Sequence, residues 1–407
     1  PEDSHETLFK KSGRKFNQDF DRKHNENDLL DELEYLLEDS VKLRMISDVP
    51  LGVFLSGGVD SSLIVAMAAR CCDTPVKTFT ISFPGAGRYD ESKYAKIVAD
   101  YFKTEHMVLN GSEHMQDTIK ALQPFIDEPI GDSSILPTYL VSRLTRKHVT
   151  VALGGDGGDE LFGGYGHYCQ ALQDKKRFAS IPKPVLGFMA ALTAQMPPGM
   201  KGRNRLGSLR GGYLEERIWG TPFFDAALRK KVLNPKVLKA LGDKIESPEK
   251  YMKDILSRGK NDMDSLTRFD FMTVLPEDMM VKVDRASMAN SLEVRAPWLD
   301  YRLVEFAFKK VSPGLKANRY KTRILQKRLA QRLLPKELDI ERKQGFSTPM
   351  DTWLQSGPAQ KWMQKSLPDK GELLDNRFIQ RLVAGEKKGR SNGARLWALW
   401  GLKGAGL

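Results

Sequence analysis

Two glycine-rich segments hold the residues best suited to chemistry. The first is Ser56, Gly57, Gly58, Val59, Asp60, Ser61 and Ser62. Its glycines allow a tight turn that aims backbone N–H groups at one point, its hydroxyls add donors, and a helix following the turn would present its positive end there. Such a turn cradles a pyrophosphate. A carboxylate at Asp60 would repel phosphate unless a cation were shared between them, and magnesium fits that place. Ser-Gly-Gly alone would equally fit a surface turn capping a helix. The apolar run Leu51 to Leu55 in front of it, together with the aspartate and two serines behind, favours the phosphate loop. No G-x-x-x-x-G-K-[ST] occurs, so this is not the loop that serves cleavage between the β and γ phosphates.

The second segment runs from Gly154 to Tyr165 as GGDGGDELFGGY. Asp156, Asp159 and Glu160 stand so close together that a metal or a proton must offset their repulsion, and the glycines around them disfavour a helix interior. A catalytic loop fits this better than a solvated acidic turn. A third stretch, Pro276 to Met288 continuing through Glu293 to Asp300, alternates charged and apolar residues and reads as a helix held by ion pairs. Periodicity gives it no function.

The elements that must hold these loops follow from apolar spacing. Residues 1–27 are polar and aperiodic and read as a linker or tail. Leu29, Leu33, Leu36, Leu37 and Val41 fall on one face of a helix expected to start near Asp28 as N-cap and to reach Ile46. Leu51 to Leu55, Val76 to Phe83, His106 to Leu109 and Val149 to Leu153 read as strands, with helices after the first loop and over Glu91 to Tyr101. Strands alternating with helices predict an α/β fold with a doubly wound parallel sheet, whose ligands bind at the carboxyl ends of the strands. Both glycine-rich loops fall at such ends. The expected division is a core at 28–170 and a mainly helical remainder at 171–407, with an exposed basic, Gly-rich loop from Lys201 to Gly212. A helical rhythm also runs from Lys316 to Arg332.

The chain has 407 residues, 41% of them hydrophobic, which is enough for a sizeable core. No apolar stretch approaches a membrane span and no signal-peptide pattern opens the sequence, so the expected address is cytoplasmic, without a membrane partner. Cys71, Cys72 and Cys169 form no metal-binding spacing. The net charge of +12 raises the question of nucleic acid, but the cations are scattered, and ATP with pyrophosphate would also call for them. No nucleic-acid partner is expected.

The first loop resembles the PP-loop of ATP pyrophosphatases. Taken with GDGGDELFGGY, VDRASMANSLEVRAPWLD, Tyr320 to Leu325 and Arg342-Lys343-Gln344-Gly345-Phe346, in that order, the chain resembles the synthetase domain of the asparagine synthetase B family from about Asp28 to Trp400. The resemblance implies that Ser56 through Ser62 hold the ATP phosphates, that Asp60 and Asp159 share magnesium with pyrophosphate, and that Leu55, Ser82 and Gly155 contact the nucleoside. It implies catalytic roles for Lys321, which would neutralise phosphate charge during adenylation, for Lys343, and for Asp156. Asp156 stands where well-studied members carry a glutamate implied to handle the ammonia proton, and the one-carbon-shorter acid departs from that pattern.

The implied reaction adenylates the aspartate β-carboxylate, releases pyrophosphate, and lets ammonia displace AMP to give asparagine. Relatives that close β-lactam rings or lasso peptides, or amidate surface-polysaccharide sugar acids, share the adenylation and differ in acceptor. A tRNA-modifying PP-loop enzyme and a non-catalytic binding protein are the readings from other classes. Complete family members carry an N-terminal glutaminase domain. With Pro1 at the start and Cys71 as first cysteine, that domain is expected to be missing from this chain, which would be a fragment of a two-domain enzyme or a stand-alone synthetase. A homodimer stays open.

Overall fold

The computed structural model describes residues 25–83, 90–111, 115–209, 211, 213–215, 218, 221, 223–342, 361, 365–367 and 373–404. Lys343 and the residues up to Phe346 fall outside this set.

Five short strands form one parallel sheet: β1 (Leu51–Phe54), β2 (Lys77–Ser82), β3 (Glu105–Asn110), β4 (Val151–Leu153) and β5 (Glu293–Arg295), in the order β3-β2-β1-β4-β5. The register pairs Val53 with Thr78 on one side of β1 and with Leu153 on the other. From β1 the chain winds outward through β2 to β3, then returns to place β4 on β1's opposite edge. The order therefore reverses between β1 and β4, and there the loops leaving two neighbouring strands diverge and open a crevice.

The helices that matter for the site are α1 (Glu26–Arg44), α2 (Val59–Arg70), α3 (Ser92–Phe102), α4 (Ile135–Thr145), α5 (Gly158–Phe162), α6 (Gly166–Arg177), α7 (Lys183–Leu192), α8 (Arg203–Ser208), α9 (Asp262–Met272), α10 (Val281–Met288), α11 (Tyr301–Lys309), α12 (Ile324–Leu333), α13 (Asn376–Lys387) and α14 (Gly393–Gly404). On one face of the sheet Leu33, Leu37 and Val41 of α1 share a core with Leu63 and Met67 of α2, Trp298, and Leu325 and Leu329 of α12. Phe79, Ile81, Leu140 and Val149 fill the other face. A further cluster joins Ile135 and Tyr139 of α4 to Ile379, Leu382, Trp397 and Trp400 of α13 and α14. The late helices thus cover the back of α4, and the middle of α2, Leu63 to Ala68, is buried and all Leu, Ile, Val, Ala and Met, as a helix segment enclosed in a core requires.

Several elements differ from the sequence expectation. Asn25, not Asp28, caps α1: its side chain accepts from the Asn27 N–H, which leaves Asp28 in the first turn beside the helix's positive end. The helix stops at Arg44. The third stretch is not one helix. Leu275–Met280 form a wide π-type turn, α10 follows, and Glu293–Arg295 add the edge strand β5 to the sheet. The helical rhythm from Lys316 holds only from Ile324, because Arg323 has a left-handed backbone (φ 54°) that starts α12 afresh. Part of the expected basic loop, Arg203–Ser208, is helical.

Candidate active site

Strand β1 delivers Leu55 and Ser56 to the crevice and the chain turns at once into α2. Gly57 has φ +73°, and a Cβ there would lie 2.5 Å from the Tyr94 Cβ on α3, so both conformation and space demand glycine. Hydroxyls tie the turn to itself. Ser56 and Ser61 share a hydrogen bond of 3.0 Å, Ser61 donates to the Gly58 carbonyl, and the Gly58 N–H donates to Ser56 Oγ. The turn is therefore set in shape without a ligand, with the first turn of α2 facing the crevice.

The second loop leaves β4 and packs directly on the first. A Cβ on Gly158 would meet Asp60 Oδ1 at 2.4 Å, and one on Gly155 would lie 3.2 Å from the Ser61 nitrogen. This contact brings Asp60 and Asp159 to a common cation. Arg323 Nη2 lies 2.9 Å from Asp60 Oδ2, and its guanidinium also binds Asp159 Oδ1. Gln326 Nε2 donates to Asp60 Oδ1 at 3.0 Å. Burial opposes the charge on Arg323, but Asp60 and Asp159 more than reverse this and hold its pKa above the ordinary value. Two carboxylates that converge on one cationic nitrogen are a donor set that fits magnesium, which takes hard oxygens from one or two carboxylates and fills the rest of its shell from phosphates and water. Among the described residues no group of three His, Cys, Asp or Glu side chains is arranged to hold a metal by itself, so any such ion would depend on the ligand phosphates.

Behind this pair sits Glu160, 2% exposed, whose Oε1 accepts from Tyr165 Oη at 2.5 Å. Burial first and the charge of Asp159 second push its carboxyl up to about 7. Burial likewise raises Asp156, offset in part by the charge of Lys282. Lys282, on α10, donates to Asp132 Oδ2 at 2.8 Å, and Ser134 donates to Asp132 through both its backbone N–H and its hydroxyl. Burial opposes ionisation of both partners, yet each holds the other charged: Asp132 lies below and Lys282 above its ordinary pKa. On the opposite wall Arg342 donates to Glu91 at 2.8 Å and stacks over the Tyr94 ring.

These groups line one cavity of about 510 Å³, roofed on its apolar side by Phe54, Phe79, Ile81, Val141 and Val294. Of the residues singled out from sequence, Leu55, Ser56, Gly58, Asp60, Ser61, Gly155, Asp156, Asp159 and Glu160 line it. Asp132 and Ser134, just ahead of α4, line it too. Gly57 and Val59 shape the loop from behind, and Ser62 is fully buried under it with a hydroxyl that finds no partner among the described residues. Ser82 caps no part of the wall; it donates to Asp90 Oδ2. Lys321 is exposed, with its backbone N–H on Asn318 Oδ1, and it does not line the cavity. Arg323, two residues on, does. Arg323, Lys282, Tyr165 and Arg342 stand in segments that the sequence singles out, but sequence reasoning gives none of them a role. The one signal for Lys282 was a lysine set among Met280, Val281 and Val283 in a stretch otherwise explained by surface pairs.

A parallel sheet whose order reverses at a Ser-Gly-Gly-x-Asp-Ser-Ser turn, with a second acidic loop folded against it, defines an α/β nucleotide-binding fold of the PP-loop ATP pyrophosphatase class. The sequence from residue 32 to 404 matches the family described as asparagine synthase, and the chain belongs to that family. A Mycobacterium tuberculosis (strain H37Rv) protein, provisionally named a glutamine-hydrolyzing asparagine synthetase, is 33% identical over 385 residues, covering 92% of this chain and 57% of the relative. Asparagine synthetase (glutamine-hydrolyzing) 1 of Bacillus subtilis is 33% identical, covering 81% of this chain and 51% of its own length. Asparagine synthetase B of Escherichia coli K12 is 34% identical over a shorter stretch, 36% of this chain and 29% of its own. The chain spans little more than half the length of the first of these relatives.

Proposed function

We propose that this chain uses ATP and magnesium to adenylate the side-chain carboxylate of aspartate and then passes the acyl group to ammonia, giving asparagine, AMP and pyrophosphate. The observation that carries the reading is the contact between the two loops: the turn after β1 offers converging backbone and hydroxyl donors, and Asp60 and Asp159 converge from separate loops beside it.

In this reading Ser56, Gly57, Gly58, Val59, Ser61 and Ser62 bind the phosphates through the turn and the first turn of α2, and Leu55 and Gly155 border the nucleoside, while Ser82, off the cavity wall, holds Asp90 instead. Asp60 and Asp159 would hold magnesium, which when bound would supply Lewis-acid neutralisation of the pyrophosphate leaving group. Arg323 sets the two carboxylates in place and adds positive charge at the leaving group. Lys321 and Lys343 are assigned to the phosphate charge that develops during adenylation. Asp156, whose carboxyl burial raises above its ordinary value, would take a proton as ammonia attacks. Positioning and charge neutralisation do the work, without an enzyme nucleophile. The ammonia would come from glutamine through a glutaminase domain, as the names of the relatives suggest for those proteins.

The test is incubation of the purified chain with ATP, magnesium, ammonium and aspartate, following AMP and asparagine by mass spectrometry. Equal, aspartate-dependent release of both is expected. AMP that forms only with another carboxylate would keep the adenylation chemistry and replace the acceptor by a polysaccharide sugar acid or a peptide or β-lactam precursor.

A further inference from the structure

Between Lys175 and Leu214 the chain carries eight Lys or Arg residues and no Asp or Glu. No other property of the site accounts for this. Within the stretch lies α7, KPVLGFMAAL, which packs only one side into the protein: Leu186 and Ala190 are buried. Its other side presents Val185, Phe188 and Leu192, spaced three and four residues apart on one stripe, at 46%, 67% and 51% exposure, and Met200 follows at 48%. Lone exposed apolar side chains are ordinary, but a helical stripe of them is not.

Arg210 lies outside the described residues, and the other seven cations divide into two sets. Arg203 pairs with Asp225, Arg205 with Asp174 and Lys175 with Asp262, so these hold the fold. Lys176 and Arg177 at the end of α6, Lys183 at the start of α7 and Lys201 after it are exposed and pair with no carboxylate among the described residues. They precede and follow the stripe in the chain.

We propose that the outward face of α7, with the exposed Lys176, Arg177, Lys183 and Lys201 that flank it in the chain, docks this chain on an anionic lipid surface. A short helix lying in the headgroup layer buries its apolar face while cations at its ends bind the anionic heads. Nucleic acid would use the cations but gains little from Val185, Leu192 and Met200. A second copy of the same face would set cation against cation with no acid in the stretch to offset them. This is attachment to a surface and not a span: no helix among the described residues is long and apolar enough to cross a membrane.

The experiment is vesicle flotation of the full chain with phosphatidylcholine alone and with phosphatidylcholine mixed with phosphatidylglycerol. The wild type is expected to float only with the anionic vesicles and to be released by high salt. Phe188→Ser with Leu192→Ser is expected to lower the bound fraction about tenfold, with an unchanged circular-dichroism melt showing that the fold is kept. A wild type that ignores anionic vesicles, or floats equally with neutral ones, overturns the proposal, as does a folded double variant that floats like the wild type. A concentration-dependent dimer in sedimentation velocity that the double variant loses, without vesicle binding, would give the face to a second copy and overturn it as well.

Discussion

Arg323 holds Asp60 at 2.9 Å through one nitrogen and grips Asp159 with the same guanidinium, so one cation from the start of α12 joins the loops that follow β1 and β4. The three side chains are largely buried, with Arg323 at 4% exposure. Two carboxylates this close would repel each other strongly in so dry a place, and the arginine makes the approach tolerable without a metal.

Removing that cation should therefore expose a dependence on magnesium. Arg323→Met leaves both acids facing each other, and in metal-free buffer it is expected to lose about 3 kcal/mol of stability, the scale for breaking a buried pair. Added magnesium should restore part of the loss more strongly than in the wild type, because it takes over the neutralisation. Urea midpoints with and without magnesium measure this. A variant that magnesium does not rescue would argue that the two acids do not share an ion.

The fit between the loops allows a sharper local test. Gly158→Ala would place its Cβ 2.4 Å from Asp60 Oδ1, and the carboxylate must swing away. Displacing a positioned group by about 1 Å can cost about 100-fold in rate. ATP-to-AMP turnover is expected to fall by that order, while the melting temperature drops only modestly because the rest of α5 is unaltered. Wild-type turnover in the variant would mean that Asp60 need not sit where the structure puts it.

How much of this was readable beforehand depends on the range of the interaction. β1 and β4 announce themselves because each is a buried apolar run that ends in glycines, and the helical spacing of Leu29, Leu33, Leu37 and Val41 fixes α1. β5 does not, since Glu293-Val294-Arg295 is a three-residue edge strand with no apolar run, recognisable only through its pairing with Val151 to Leu153. The site divides the same way. Asp60 and Asp159 stand in local patterns that carry their own chemistry. Arg323 lies 164 positions from Asp159, and Lys282 150 from Asp132. An arginine or lysine in a helical stretch looks alike whether it meets water or a carboxylate from another loop. Boundaries slipped where a polar cap decides them, as at Asn25.

The Lys282–Asp132 pair gives a prediction with a pH signature. Its side chains are 9% and 23% exposed, so Lys282→Met should cost about 3 kcal/mol at neutral pH by stranding Asp132. Adding Asp132→Asn should recover part of that, which a double-mutant cycle reads directly. Lys282 holds the folded-state pKa of Asp132 below its ordinary value, so its contribution is present above about pH 4 and fades as acid protonates the carboxylate. The gap between wild type and Lys282→Met should narrow with falling pH. A constant gap from neutral pH down to acid would show that the lysine acts by packing its stem and not by its charge.

Glu160 should give the opposite slope. Its carboxyl is raised from 4.5 to about 7 in the folded chain, so the folded state holds a proton that the unfolded state releases. Stability is unaffected below about pH 4 and falls as pH rises toward 7, by an amount on the order of 3 kcal/mol. Glu160→Gln keeps an oxygen that accepts from Tyr165 Oη and carries no charge. It is expected to match the wild type in acid and to be the more stable protein at pH 8 in metal-free buffer. Phosphates and magnesium at Asp159 would shrink the difference by relieving the repulsion that helps to raise Glu160. Denaturant titrations of both proteins at pH 5 and pH 8 decide the matter: equal stability at both values would mean that Glu160 stays ionised beside Asp159, and that the Tyr165 hydrogen bond outweighs the cost of burying the charge.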